Sequence, residues 1–320
     1  MLGILTILLS ALLLAFHNII VRVLYSGHLF LGLFQLGGYV QPTLNNSFLL
    51  MFMRMAFVVP LLAFLSPKLY PYASKELTDL VQPERRRVLS QALGCGVLMF
   101  INIALLYTSI SLIPTGIAMT LFFTYPVFTA LLAWRFFGDR PSLFRWGVMG
   151  IVLLGSTLTI PQSTTVDSHH AIAIGVFVSI AGGIVYALYS VTAQKCFAHL
   201  HPVPFTWISF AVTLLLSSAS LLVHPVFDFQ LAWTPLWIGG LLSGLFSFIG
   251  HTLNNLGIRM VGASTTAIIG SSSPAITAIV AWVSIRETLD VIQVIGILVV
   301  TLGIALLGGE KVWMRRSPIH

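Results

Sequence analysis

Residues 116–158 read GIAMTLFFTYPVFTALLAWRFFGDRPSLFRWGVMGIVLLGSTL, and residues 263–307 read ASTTAIIGSSSPAITAIVAWVSIRETLDVIQVIGILVVTLGIALL. Sliding the first onto the second by 148 residues puts Pro126 on Pro274, Ala130 on Ala278, Trp134 on Trp282, Asp139 on Glu287 and Gly155 on Gly303; upstream, Gly96 falls on Gly244. Leu and Val coincidences carry little weight in so apolar a chain. Pro, Trp, Gly and an acid in one register carry a great deal. For the first helix of each copy the shift is 172, with Gly3 on Gly175 and Ala15 on Ala187, and the extra 24 residues match an insert after helix one. Each copy is five helices long, and five is odd. The second copy therefore enters the membrane upside down, the inverted-repeat plan of secondary transporters.

Composition leads to the same class. Of 320 residues 57% are apolar and 8% charged, against roughly a quarter charged in a soluble domain, which excludes a soluble globule. Several stretches of about twenty residues carry no charge, the length a helix needs to cross a hydrocarbon core of about 30 Å. Spans are predicted at about 3–24, 47–66, 89–109, 114–134, 144–160, 172–195, 203–223, 235–257, 264–284 and 289–308. The expected fold is an all-α integral membrane protein of ten transmembrane helices in two inverted five-helix repeats, 1–162 and 163–310, with a cytoplasmic tail at 311–320. The insert at about 26–46 contains LFLGLFQLGGYV, too short to cross, and is predicted to be interfacial or re-entrant. MLGILTILLSALLLAF lacks a basic leader and a clear cleavage site, so it reads as a retained first helix.

The charges fix an orientation. With the N-terminus cytoplasmic, 13 of the 16 basic residues fall inside: Lys68, Lys75, Arg85, Arg86, Arg87, Arg135, Arg140, Arg145, Lys195, Arg259, Lys311, Arg315 and Arg316. Arg22 and Arg286 fall outside and Arg54 within a span, as the positive-inside rule demands. Both termini are expected in the cytoplasm. The nine acids all fall in loops, turns or the tail on these boundaries, so no carboxylate is expected in mid-membrane.

The two segments quoted above resemble the end of an EamA domain: a small-residue helix with a central Pro, a Gly–acid–basic turn, then a Gly-spaced final helix. The resemblance covers the chain as two copies of the drug/metabolite transporter superfamily, departing at the insert and at GDR and IRE, where the family more often has GE followed by a basic or small residue. It implies movement of small metabolites by alternating access, often export of amino acids or related solutes, from a bacterial inner membrane.

Candidate substrate-binding residues come from polar groups inside spans. Arg54 needs a polar partner, since a charge near the bilayer centre costs at least about 2.5 kcal/mol. Helix rise puts Arg54 and His17 each about 4 to 5 Å outward of centre, where they can share one cavity. Arg54 either grips a substrate carboxylate or phosphate or braces backbone carbonyls. His17 and Asn18 match Tyr189 and Ser190 in the repeat, as ligand or interhelical contacts. His251, Asn254 and Asn255 form a polar stripe, and Asn102 matches Gly250; a cavity wall suits them better than a metal, with no third ligand near. Pro126 and Pro274 break backbone bonds in mid-helix, beside Thr124, Tyr125, Ser271, Ser272 and Ser273. Those broken helices either line the cavity or kink a tight bundle. His169 and His170 are expected in a solvated external loop.

No cofactor and no metal is expected, Cys95 and Cys196 form no CxxC pair, and no GxxxxGKS loop is present. Expected partners are a small-molecule substrate and the lipid bilayer, with no nucleic acid and a homodimer left open. A membrane enzyme would need a buried nucleophile, acid pair or metal cluster, and an exchanger of phosphorylated metabolites would need more buried bases than Arg54 alone. If carriage is proton-coupled, His17 or His251 is expected to carry the proton; the alternative is two neutral histidines bonded to neighbours such as Asn18 and Asn255.

Overall fold

The computed structural model describes residues 2–137, 142–160, 166–223, 231–262, 266, 269–270 and 272–314. Asp139, Arg140, Asp228 and Ser271, all read from the sequence, lie outside the described residues. In chain order the elements are α1 (Leu2–Tyr25), β1 (His28–Phe30), β2 (Phe34–Leu36), α2 (Leu44–Leu69), α3 (Ala73–Asp79), a 3₁₀ turn (Pro83–Arg85) and α4 (Arg86–Leu112). There follow α5 (Thr115–Phe122), α6 (Tyr125–Phe137), α7 (Leu143–Leu158), α8 (Val166–Cys196), α9 (Pro202–Val223), α10 (Trp233–Val261), α11 (Ser273–Ile285) and α12 (Val291–Met314).

Among the described residues six helices are long and apolar enough to cross a membrane: Leu2–Tyr25, Leu44–Leu69, Pro83–Leu112, His169–Cys196, Pro202–Val223 and Trp233–Val261. Shorter apolar helices cover Thr115–Thr129, Trp146–Leu158, Ser273–Ile285 and Val291–Gly303. The protein is a helical integral membrane protein.

Three expectations need correction. The predicted span 114–134 is broken: α5 stops at Phe122, a turn follows at Phe123–Thr124, and α6 starts at Tyr125. Pro126 is thus the second residue of α6 and Pro274 the second of α11, positions where a missing N–H costs no intrahelical bond. The prolines start new helices rather than kink continuous ones. The insert, read as interfacial or re-entrant, carries a short antiparallel hairpin with His28 opposite Leu36 and Phe30 opposite Phe34. Its turn needs Gly32 at φ +76°, a conformation costly for a residue with Cβ, and Leu31 N–H donates to the Ser284 carbonyl at 2.8 Å. The hairpin therefore rests on the end of α11, with Leu33 and Phe34 exposed. Finally, His169 and His170 are exposed but belong to the start of α8, not to a loop.

Helices pack across the two halves of the sequence. α1 lies on α10 and α4 on α8; α2 packs on α9 and α7 on α12; α4 also meets α9, and α10 meets α2. Small residues set these approaches. A Cβ on Gly96 would meet Val212 Cβ at 2.6 Å, and one on Gly244 would meet Val58 Cγ2 at 2.9 Å. The two glycines share one position in the 148-residue register.

Candidate functional site

The arginine in α2 is fully buried, and its neighbours explain how. Gly244 of α10 faces it, so closely that a Cβ there would lie 3.3 Å from Arg54 Cγ; the glycine makes room for the aliphatic stem. At the tip, Arg54 Nη1 donates to His17 Nε2 at 2.9 Å and to the Tyr107 hydroxyl oxygen at 2.7 Å. Guanidinium has no acceptor, so His17 Nε2 must accept. Its Nδ1 then carries the hydrogen and donates to the Ser243 carbonyl at 3.0 Å. His17 is fixed as one neutral tautomer by a chain running from α2 through α1 to α10. Arg54 Nε and Nη2 have no hydrogen-bond partner. Of the two readings of Arg54, the one that has it brace backbone carbonyls finds no such bond: its hydrogen bonds go to the side chains of His17 and Tyr107.

His17 and Tyr107 form one end of a cavity enclosed by α1, α4, α5, α8, α10 and the α11 N-terminus. Of the sequence-predicted residues, His17, Asn102, Tyr125, His251 and Ser273 line it, joined by Asn18, Tyr186 and Asn254. Arg54 stands behind His17 and Tyr107 rather than on the wall. Pro126, Ser272 and Pro274 are not on the wall either; they start the helices that deliver Tyr125 and Ser273 to it. Tyr189 and Asn255 lie behind it too, where Tyr189 donates to Asn255 Oδ1 at 3.1 Å and Asn255 Nδ2 to Thr206 at 2.9 Å. His251 packs edge-on to Phe210, ring centroids 5.9 Å apart, and is not bonded to Asn255.

The break at Phe123–Thr124 shapes the wall. Pro126 cannot donate to the Phe122 carbonyl, four residues back, and Gly183 of α8 comes so close that a Cβ there would sit 2.7 Å from that oxygen. Phe122, Tyr125 and Tyr186 consequently cluster, with centroids 5.8, 5.3 and 4.9 Å apart pairwise. Asn254 Nδ2 donates to the Tyr186 hydroxyl at 2.8 Å. Asn102 Oδ1 is buried on the same wall without a partner, and Asn18 Nδ2 has only the Met119 sulfur, at 3.1 Å, a weak acceptor.

Where α1 ends, an ion pair clasps it to the α11–α12 turn and to the α4–α5 junction. Arg22 Nε donates to Glu287 Oε1 at 3.2 Å and Nη1 to the Ile110 carbonyl at 2.7 Å. Glu287 Oε2 accepts from the Thr115 N–H at 2.9 Å, capping α5. Glu287 is in the α11–α12 turn, as expected, yet its side chain is only 7% exposed. Burial pushes its carboxyl above the ordinary range, against the opposing pull of Arg22 and the Thr115 bonds. On the other face Glu76 takes the Tyr70 hydroxyl at 2.8 Å and the His201 N–H at 2.9 Å, which holds α9 to the end of α2.

Sequence reasoning brought Arg54 and His17 together but missed Tyr107, Tyr186 and the Arg22–Glu287 pair. Tyrosines in apolar spans give no pattern. The pair was legible only as two charges flanking neighbouring spans.

The bundle thus encloses a largely apolar cavity set with a few polar side chains, among them His17, Asn18, Asn102, Tyr107, His251 and Asn254. The chain belongs to the EamA-like transporter family, whose model matches residues 1–160 and 173–309. It is 53% identical over 312 residues to an uncharacterized transporter of Synechocystis, spanning 98% of this chain and 94% of that one. It is 27% identical over 219 residues to the threonine/homoserine exporter RhtA of Salmonella typhimurium, 67% of this chain and 68% of the relative. A solved crystal structure at 15% identity superposes with a TM-score of 0.56 over 96% of this chain and 99% of its own, a likeness of fold.

Proposed function

We propose that this transporter is a ten-helix secondary carrier of two inverted five-helix copies, and that it exports small zwitterionic metabolites of the amino-acid class by alternating access. It would sit in a bacterial plasma membrane with both termini cytoplasmic, and act as a carrier rather than an enzyme. Support for the repeat comes from the packing: exchanging equivalent helices turns the α1–α10 contact into the α8–α4 contact, and α4–α9 into α10–α2. The registers of 172 and 148 also put His17 on Tyr189 and Tyr107 on Asn255. Two members of the His17–Arg54–Tyr107 network, His17 and Tyr107, thus fall on members of the Tyr189–Thr206–Asn255 network in the other copy.

The observation that carries the substrate class is the unpaired cation behind the cavity. Arg54 has two unpartnered nitrogens and no carboxylate bonded to it. The Tyr107 hydroxyl, polarised by the guanidinium it accepts from, lies 3.3 Å from His17 Nε2; because Nε2 already accepts from Arg54 at 2.9 Å, a ligand carboxylate would take the Tyr107 hydrogen in place of that longer contact. Asn18 Nδ2 adds a second donor on the same wall. Donors backed by one positive charge suit one carboxylate. The relatives named as threonine/homoserine exporters add the direction and the amino-acid class.

Comparing medium and cells with and without the protein tests the reading. Expression should raise extracellular threonine or homoserine and lower their intracellular pools; an unchanged amino-acid profile with another solute exported would overturn it.

A further inference from the structure

Among the described residues that line the cavity, Asn102 is the one whose unsatisfied atom is an acceptor. Its Oδ1 is buried and has no partner, a costly state for an amide oxygen away from water. One of the three clustered rings on this wall, Phe122, approaches the same point on α8 as Asn102 does. Asn102 Oδ1 and Phe122 Cδ2 lie 3.8 and 3.7 Å from the point where a Gly182 Cβ would be, and Phe122 is packed on Tyr125 and Tyr186. Ring faces attract cations, more strongly where water is excluded. An acceptor that lacks a donor, set against a cluster of rings, fits a ligand that is both cationic and a hydrogen-bond donor.

We infer that Asn102 Oδ1 with the rings of Phe122, Tyr125 and Tyr186 forms the subsite for the ammonium group of an α-amino acid whose carboxylate is held at Tyr107. The inference rests on the zwitterion reading above and adds which group binds where. Asn102 and Tyr107 stand on the same helix, α4, and both line the cavity. The wall around Asn102 holds no carboxylate among the described residues, so release of the ammonium does not require separating an ion pair.

The test uses the full-length protein in liposomes, with tritiated L-homoserine as the transported probe. Unlabelled L-homoserine and 2,4-dihydroxybutanoate, in which a hydroxyl replaces the ammonium, serve as competitors. The wild type should favour homoserine about tenfold or more. Asn102→Leu should bring the two competitors to within about threefold by weakening homoserine while leaving the hydroxy acid unchanged, and Phe122→Leu should narrow the gap in part. Asn102→Asp, which keeps size and adds charge, should widen it and stands in should the leucine variant not fold. Wild-type discrimination in Asn102→Leu, or none gained in Asn102→Asp, overturns the subsite while the amino-acid reading survives. A wild type that carries no homoserine and no threonine overturns that reading and the subsite with it.

Discussion

Arg22 and Glu287 meet about one helical turn beyond the last cavity-lining residues of α1, α4 and α5. On α1, Asn18 lines the cavity and Arg22 follows four residues later; on α4, Tyr107 lines it and the Ile110 carbonyl follows three later; on α5, Met119 lines it and Thr115 precedes it by four. Residues three or four apart stack on one helix face, so the clasp lies directly over the end of the cavity. In the proposed orientation that end is the external one, and the clasp must part before substrate leaves.

Acid should loosen this closure. Burial raises the Glu287 carboxyl, so as external pH falls it takes up a proton earlier than an ordinary glutamate and the ion pair with Arg22 is lost; at neutral pH the pair is intact. His28 of the nearby hairpin is held low by its own burial and by Arg22, and the Arg286 guanidinium lies against Gly32. A cysteine at Met119, probed from outside with an impermeant thiol reagent, should label faster as pH falls. Glu287→Gln should label fast at every pH. Labelling that ignores pH in the unaltered clasp would contradict the gate.

Arg54→Lys should lower transport about tenfold or more with little loss of folded protein, because lysine keeps the charge but cannot hold His17 and Tyr107 from one planar fork. Tyr107→Phe removes one hydrogen bond to a charged ligand, worth about 1.5–3 kcal/mol, and should weaken apparent affinity at least tenfold. Uptake kinetics in liposomes measure both. A fully active Arg54→Lys with unchanged affinity would reduce Arg54 to a packing element.

Two glycines in different surroundings give a paired stability test. Gly183→Ala drives a methyl to 2.7 Å from the Phe122 carbonyl and should cost about 1–3 kcal/mol, seen as a lower melting temperature in detergent. Gly94→Ala meets nothing within 4 Å and should be neutral or stabilising by up to about 1 kcal/mol.

Orientation is checked by cysteines at Ser74 and His169, both exposed, while Cys95 and Cys196 are buried. The two sites should label from opposite sides of the membrane, with Ser74 cytoplasmic; labelling from one side would contradict the arrangement of spans.

The relative level of two residues on neighbouring helices was legible in the sequence and azimuth was not. Counting residues put His17 and Arg54 at one level, and they are 2.9 Å apart. Whether a residue faces the cavity or stands behind it depends on helix rotation and neighbours far along the chain, and so Asn102 reached the wall while Asn255 did not. Hydropathy likewise shows where a span lies but not whether it is continuous. Only the backbone at Phe123–Thr124 distinguishes a proline that starts a helix from one that bends it. The hairpin was hidden because short apolar runs rich in Gly read alike as strand or interfacial segment.

The most direct measurement of the central claim is counterflow: liposomes holding purified protein are preloaded with unlabelled L-threonine or L-homoserine and given the tritiated amino acid outside. The account predicts transient accumulation of label above its equilibrium level, abolished by Arg54→Met and absent from protein-free liposomes. Label that never exceeds equilibrium with either amino acid, from protein shown to be folded, would contradict it.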